Sequence, residues 1–153
     1  MPVENGQPAP DFTLRDQEGQ DVTLSSYQGS KNVVLIFYPL TFTNVCKGEL
    51  SGIRDDLTTY QNDDTQVLAV SVDSVFAHRV WAEEQGYEFP ILADFWPHGS
   101  VAKTYGVLDD AMGVAQRGTF VIDKHGVVRW SVVNAIPDAR DQAEYAKVLS
   151  ELT

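Results

Sequence analysis

Two largely apolar runs, Val33-Val34-Leu35-Ile36-Phe37-Tyr38 and Val67-Leu68-Ala69-Val70-Ser71-Val72, the second interrupted only by Ser71, constrain the fold of this chain more than any other feature. Neither run alternates with polar residues. That pattern suits strands covered on both faces, as in a parallel sheet. Pro39 ends the first run because it has no N–H to give a strand ladder. Between the runs, Cys46, Leu50, Ile53, Leu57 and Tyr60 recur in steps of four, three, four and three, which is helical spacing. Strand, helix and strand make a βαβ unit. Right-handed crossover then places the start of the helix at the carboxyl edge of the first strand, where open α/β sheets usually hold their sites.

The remaining elements fall around this unit. Phe12-Thr13-Leu14 and Val22-Thr23-Leu24 flank Asp16-Gln17-Glu18-Gly19 and predict an N-terminal β-hairpin. Asn62-Asp63-Asp64 breaks the chain before the second apolar run. Ser74 can cap a helix that runs to Gly86, and Phe89-Pro90-Ile91-Leu92-Ala93 predicts a short strand. A brief helix over 100–105 stops at Gly106. Gly118–Ile122 and Val127–Ser131 flank Asp123-Lys124-His125-Gly126 as a second hairpin, and Tyr145, Leu149 and Leu152 mark a closing helix. A βαβ half, a hairpin and a final helix follow thioredoxin-like order. The class is α/β, with the first hairpin and the helices after Ser74 and Ser100 as additions. At 153 residues, without a linker, repeat or low-complexity segment, a single domain over 1–153 is expected.

Cys46 is the only cysteine, and it lies three residues after Thr43. With Thr43 as N-cap, Asn44, Val45 and Cys46 are the first three helical residues, so the sulfur lies among N–H groups without intrahelical partners. A cysteine at a helix N-terminus or beside a cation can ionise anywhere from about 3.5 to 7.5, against about 8.5 for a free thiol. Most unpaired cysteines are small buried hydrophobes. Here the capping threonine and the proline-ended strand favour an activated nucleophile instead. A single cysteine excludes an internal disulfide, so any oxidised state must be resolved by a thiol from another molecule.

Composition removes other classes. A formal charge of −11 argues against nucleic acid and anionic membrane surfaces, and otherwise serves solubility. His78, His98 and His125 are scattered and lack metal-ligand spacing; the glycines lack a phosphate-cradling pattern. No metal and no cofactor is expected. The opening Met-Pro-Val-Glu-Asn does not resemble a signal peptide, and no stretch approaches a membrane span, so a cytoplasmic location is expected.

Pro39-x-x-x-Thr43-x-x-Cys46 resembles the active-site signature of the peroxiredoxins, thiol peroxidases with a thioredoxin-like fold. Ala9-Pro10-Asp11-Phe12-Thr13-Leu14 and Arg117-Gly118-Thr119-Phe120-Val121-Ile122-Asp123 resemble further segments of the same family, in the same order. The resemblance implies that Cys46 is the peroxidatic nucleophile and that Arg117 holds its thiolate and the peroxide. It gives Thr43 a hydrogen bond to substrate and Pro39 a shielding role. Glu49 resembles the acidic residue that positions the family's arginines, with Arg140 as the second arginine. On residue type alone, Arg117 opening a strand reads as a solvated charge.

Ser51 stands where one bacterial subgroup carries a resolving thiol, and the chain is similar to the one-cysteine alkyl hydroperoxide reductase E group. That similarity implies a homodimer or higher homo-oligomer, hydrogen peroxide and organic or lipid hydroperoxides as substrates, and an external reductant: mycothiol with mycoredoxin, or thioredoxin. Phe42, Val45, Trp81 and Trp96 could wall the site with apolar surface, although packing is the commoner role for the two tryptophans. Dithiol exchange falls because there is no Cys-x-x-Cys. A peroxide sensor or redox-regulated holdase using the same cysteine is the alternative.

Overall fold

A computed structural model describes residues 2–152, and the statements below concern these. Strands β1 (Thr13–Arg15) and β2 (Asp21–Thr23) form the expected hairpin, followed by a 3-10 turn at Leu24–Tyr27. Next come β3 (Asn32–Phe37), α1 (Asn44–Asp55), α2 (Leu57–Tyr60), β4 (Thr65–Ser71), α3 (Val75–Gln85) and β5 (Ile91–Ala93). The chain continues through α4 (Ser100–Thr104), β6 (Leu108–Asp109), β7 (Val114–Ala115), β8 (Arg117–Ile122), β9 (Val128–Asn134) and α5 (Gln142–Glu151).

Seven strands form one sheet in the order β2-β1-β5-β4-β3-β8-β9. β3 runs parallel to β4, with Val34 opposite Val67, and antiparallel to β8, with Leu35 opposite Phe120. The β3-α1-β4 unit and the β8-β9 hairpin with α5 form the thioredoxin-like part. The N-terminal hairpin extends the sheet beyond β5.

The two faces of β3 explain its unbroken apolar run. Val34, Ile36 and Tyr38 pack with Leu50 and Ile53 of α1, Trp81 of α3, and Tyr145 and Leu149 of α5. Val33, Leu35 and Phe37 pack on the other face with Val101 and Ala102 of α4, Tyr105 and Phe120. Burying each of these large side chains contributes about 1.5–3 kcal/mol, so both faces must remain apolar.

The helix after Cys46 is shorter than its apolar spacing suggests. α1 stops at Asp55, and Leu57 and Tyr60 belong to the separate turn α2. Asp56 leaves the helical region at φ −130° and its carboxylate accepts the Thr59 hydroxyl at 2.9 Å, a local bond that competes with the helix backbone. Ser74 caps α3 as expected, accepting the Ala77 N–H at 3.1 Å, and Gly86 closes it in the left-handed conformation. Phe89 precedes β5 and is not part of it. The small β6-β7 ladder has no apolar alternation to announce it. No helix among the described residues is long and apolar enough to cross a membrane.

Candidate functional site

The site begins where β3 runs out. Tyr38 N–H still donates to the Val70 carbonyl at 3.0 Å, and buried Pro39 ends the pairing. The chain then makes a tight turn through Leu40, Thr41 and Phe42. Phe42 has φ 71°, the only non-glycine positive φ among the described residues. Thr43 occupies the N-cap position with extended backbone, as expected, but its hydroxyl does not cap α1. It donates to the Leu40 carbonyl at 2.6 Å, which closes the turn from the inside. The α1 ladder starts with Lys47 N–H donating to the Thr43 carbonyl at 2.9 Å, leaving Cys46 as the third helical residue.

Cys46 has no exposed surface. Its sulfur accepts from Arg117 Nη1 at 3.3 Å, and the same nitrogen donates to Glu49 Oε1 at 2.6 Å. Arg117 Nε donates to the Ile136 carbonyl at 2.5 Å. Thus the arginine that opens β8 is not a solvated charge; its side chain is 3% exposed and points across the sheet end at the thiol. Glu49 lies one helical turn after Cys46, so its carboxylate falls on the same buried side of α1.

Arg140 completes the arrangement from the segment before α5. Its backbone N–H and Nε each donate to Glu49 Oε2 at 2.8 Å, and Nη2 donates to Oε1 at 2.9 Å. Nη1 donates to the Phe37 carbonyl at 2.6 Å and the Gly118 carbonyl at 2.9 Å. This buried guanidinium therefore ties the end of β3, the start of β8 and α1 together.

Burial by itself would raise the Glu49 pKa. The Arg140 hydrogen bonds and charge, with Arg117 behind them, outweigh it and hold the carboxyl below its ordinary range. Two guanidinium groups thus share one carboxylate. The Arg117 end of this cluster adjoins the sulfur, so a cation faces Cys46.

The site residues read from the sequence are therefore brought together in part by direct bonds: Cys46, Glu49, Arg117 and Arg140 form one network. Thr43 and Pro39 border it through the turn and the strand end. Trp81 is buried, as packing requires, and lies under Phe42 with ring centroids 6.2 Å apart. Trp96 overturns the packing expectation. It is 82% exposed and lines a groove with Leu14, Val75, Phe76 and Phe95, a lining that includes neither Phe42 nor Val45. Sequence reasoning missed Thr41, Ser71, Asp73 and His78, which join through hydrogen bonds behind the turn. Their only sequence signal was a polar serine closing an apolar strand beside a cap residue.

A family model described as the AhpC/TSA family matches residues 5–131. The chain belongs to the AhpC/TSA family. Within this peroxiredoxin family it is 49% identical over 148 residues to alkyl hydroperoxide reductase E of Mycobacterium tuberculosis (strain ATCC 25618 / H37Rv), covering 97% of both chains. Solved peroxiredoxin structures share its fold. Reduced 2-Cys peroxiredoxin of Plasmodium vivax superposes with TM-score 0.87 at 29% identity, over 97% of this chain and 81% of that one. Peroxidoxin BcpB of M. tuberculosis gives TM-score 0.86 at 29% identity, over 99% of each. Against the two-cysteine relatives, this peroxiredoxin retains one cysteine.

Proposed function

We propose that this chain is a thiol-dependent peroxidase that works by a one-cysteine mechanism. The observation that carries the reading is the 3.3 Å bond from Arg117 to a buried, solitary cysteine at a helix start. Cys46 S⁻ attacks the nearer oxygen of a hydroperoxide, forming S–O as O–O breaks. The departing oxygen leaves with a proton as water or an alcohol, and the sulfur is left as sulfenic acid.

Negative charge moves from sulfur toward the departing oxygen. Donors fixed beforehand stabilise that charge without reorganising. Arg117 is such a donor, held by Glu49 and the Ile136 carbonyl. Thr43 has its single hydroxyl proton on the Leu40 carbonyl, so while that bond stands its oxygen acts as an acceptor toward a peroxide O–H. Pro39 would keep water away from the sulfur, and Glu49 with Arg140 would set the angle of Arg117.

Resolution consumes a thiol supplied from outside. That thiol displaces water from the sulfenic acid to form a mixed disulfide, and a second thiol releases Cys46. Mycothiol with mycoredoxin, or thioredoxin, are the reductants we propose, in a reducing cytoplasmic setting. Since Cys46 has no exposed surface, α1 or the preceding turn must open to admit either of them. Hydrogen peroxide and organic or lipid hydroperoxides are the proposed substrates. Exposed Phe42, Phe76, Phe95 and Trp96 support a homodimer or higher homo-oligomer.

The second reading, a peroxide sensor or redox-regulated holdase, uses the same thiol. Rapid mixing of reduced protein with hydrogen peroxide or a fatty-acid hydroperoxide, followed by addition of mycothiol or thioredoxin, separates the two. Many peroxides consumed per chain support the enzyme. Arrest after one oxidation event with every reductant would leave the sensor, and failure to consume any peroxide would defeat both.

A further inference from the structure

Behind the turn that carries Pro39 and Thr43 lies a buried chain of hydrogen bonds. Ser71 Oγ donates its one hydrogen to Asp73 Oδ2 at 2.6 Å. His78 Nε2 lies 2.7 Å from the same oxygen and pairs with it. Burial pulls His78 down to about 4, against the opposing influence of Asp73 and the Ile91 backbone, so the ring is neutral at physiological pH. Asp73 Oδ2 accepts in turn from the Thr41 N–H at 2.8 Å.

Thr41 is the buried middle of an otherwise exposed turn. It is 5% exposed, whereas Leu40 and Phe42 on either side are 37% and 54% exposed. Its hydroxyl pairs with buried Tyr38 at 2.9 Å. The next residue, Phe42, holds a positive φ that is strained for a bulky side chain and persists only where the surroundings enforce it. Two bonds do so: Thr43 hydroxyl to Leu40 from within, and Asp73 to Thr41 from the neighbouring crossover.

We infer that Asp73, oriented by Ser71 and His78, is a positioning residue for peroxide reduction: its carboxylate fixes Thr41 and thereby the turn that places Pro39 and Thr43 over Cys46. The inference rests on the peroxidase reading above. Asp73 has no contact with the sulfur, so its removal should disturb the geometry of attack and spare the thiolate.

The test measures two rates on each protein: peroxide reduction by stopped-flow tryptophan fluorescence, and alkylation of Cys46 by iodoacetamide. Alkylation needs the thiolate but no oriented peroxide. Asp73→Ala should lower the peroxide rate about 10–100-fold, in line with the sensitivity of attack to an ångström of misplacement, while alkylation holds or rises, because a loosened turn eases the reagent's access to the buried sulfur. Asp73→Asn, which keeps an acceptor oxygen for Thr41, should recover most of the loss. Ser71→Ala gives the same split to a smaller extent and carries the test if Asp73→Ala does not fold. An unchanged peroxide rate in Asp73→Ala, or in Ser71→Ala if that variant must stand in, overturns the inference. So does a parallel fall in both rates. Parental protein that is alkylated yet reduces no peroxide would instead overturn the peroxidase reading beneath it.

Discussion

One nitrogen of Arg117, Nη1, lies 3.3 Å from the Cys46 sulfur and 2.6 Å from Glu49 Oε1, so the cation that faces the thiol is itself held by a carboxylate one turn along the same helix. The carboxylate limits where the guanidinium can point. It does not neutralise the cluster, because Arg140 brings a second positive charge to it.

Arg117→Met should therefore reduce the second-order rate with hydroperoxide by about 10²–10³, the usual loss for one aimed donor. Arg117→Lys should recover little of this, since an ammonium cannot reach sulfur, Glu49 and the Ile136 carbonyl with a planar fork. Stopped-flow kinetics under pseudo-first-order peroxide would check both. Parental rates in the methionine variant would remove Arg117 from the mechanism.

Glu49→Gln leaves two buried guanidiniums without the charge they share. Removing one partner of a buried ion pair typically costs about 3–5 kcal/mol, so the variant should unfold at lower urea with an unchanged denaturant slope. Peroxide reduction should fall as well, because Arg117 loses its restraint. A midpoint equal to the parent's would show that Arg140 and the surrounding carbonyls suffice without it.

Thr43→Val removes both the acceptor proposed for peroxide and the bond to the Leu40 carbonyl. The expected result is a loss of about 10–100-fold in peroxide rate, the scale for misplacing a reactant, with a melting temperature lowered only slightly because Thr43 is exposed. Equal rates for variant and parent would exclude Thr43 from the chemistry.

With no internal thiol to trap the sulfenic acid, excess peroxide in the absence of reductant should drive Cys46 to sulfinic acid. Intact-mass spectrometry should show two added oxygens accumulating with peroxide dose. A mass that stops at one added oxygen would contradict an unprotected sulfenic acid.

The sequence made the sheet legible because each buried strand had to be apolar on both faces, and made α1 legible because Cys46, Leu50 and Ile53 mark one side of it. It could not show that Asp56 would capture Thr59 and split the helix, since Leu57 and Tyr60 keep the spacing across the break. In the site, Cys46 and Thr43 stood out by position. Arg117, Glu49 and Arg140 are 68 to 91 residues apart in the pairs that bond, so only the family resemblance brought them together before the fold did. The Thr43 hydroxyl could have capped α1 or closed its own turn; backbone geometry at Phe42 decided for the turn. Trp96 had no sequence sign of its exposure, because an aromatic in an apolar segment reads the same in a core and on a surface.

Two buried groups predict that acid destabilises the fold in separate steps. His78 takes its proton near pH 6.5 when unfolded but only near about 4 when folded, so between these values the unfolded chain binds more protons. Stability should therefore rise with pH across that window, with a slope of up to about 1.4 kcal/mol per unit from this one site. Glu49 acts lower. Its folded pKa lies below the ordinary carboxylate value, so its contribution is present above that value and is lost as pH falls through the folded one. Asp94, raised by burial, runs the opposite way in the carboxylate range, which leaves the interval from about pH 6.5 to 5 as the one His78 dominates. Urea unfolding at half-unit steps should show the slope there in the parent, and His78→Asn should flatten it while leaving the steeper loss below pH 4. A parental profile already flat from pH 6.5 to 5 would mean that the imidazole titrates alike in both states, contrary to its burial beside Ser71.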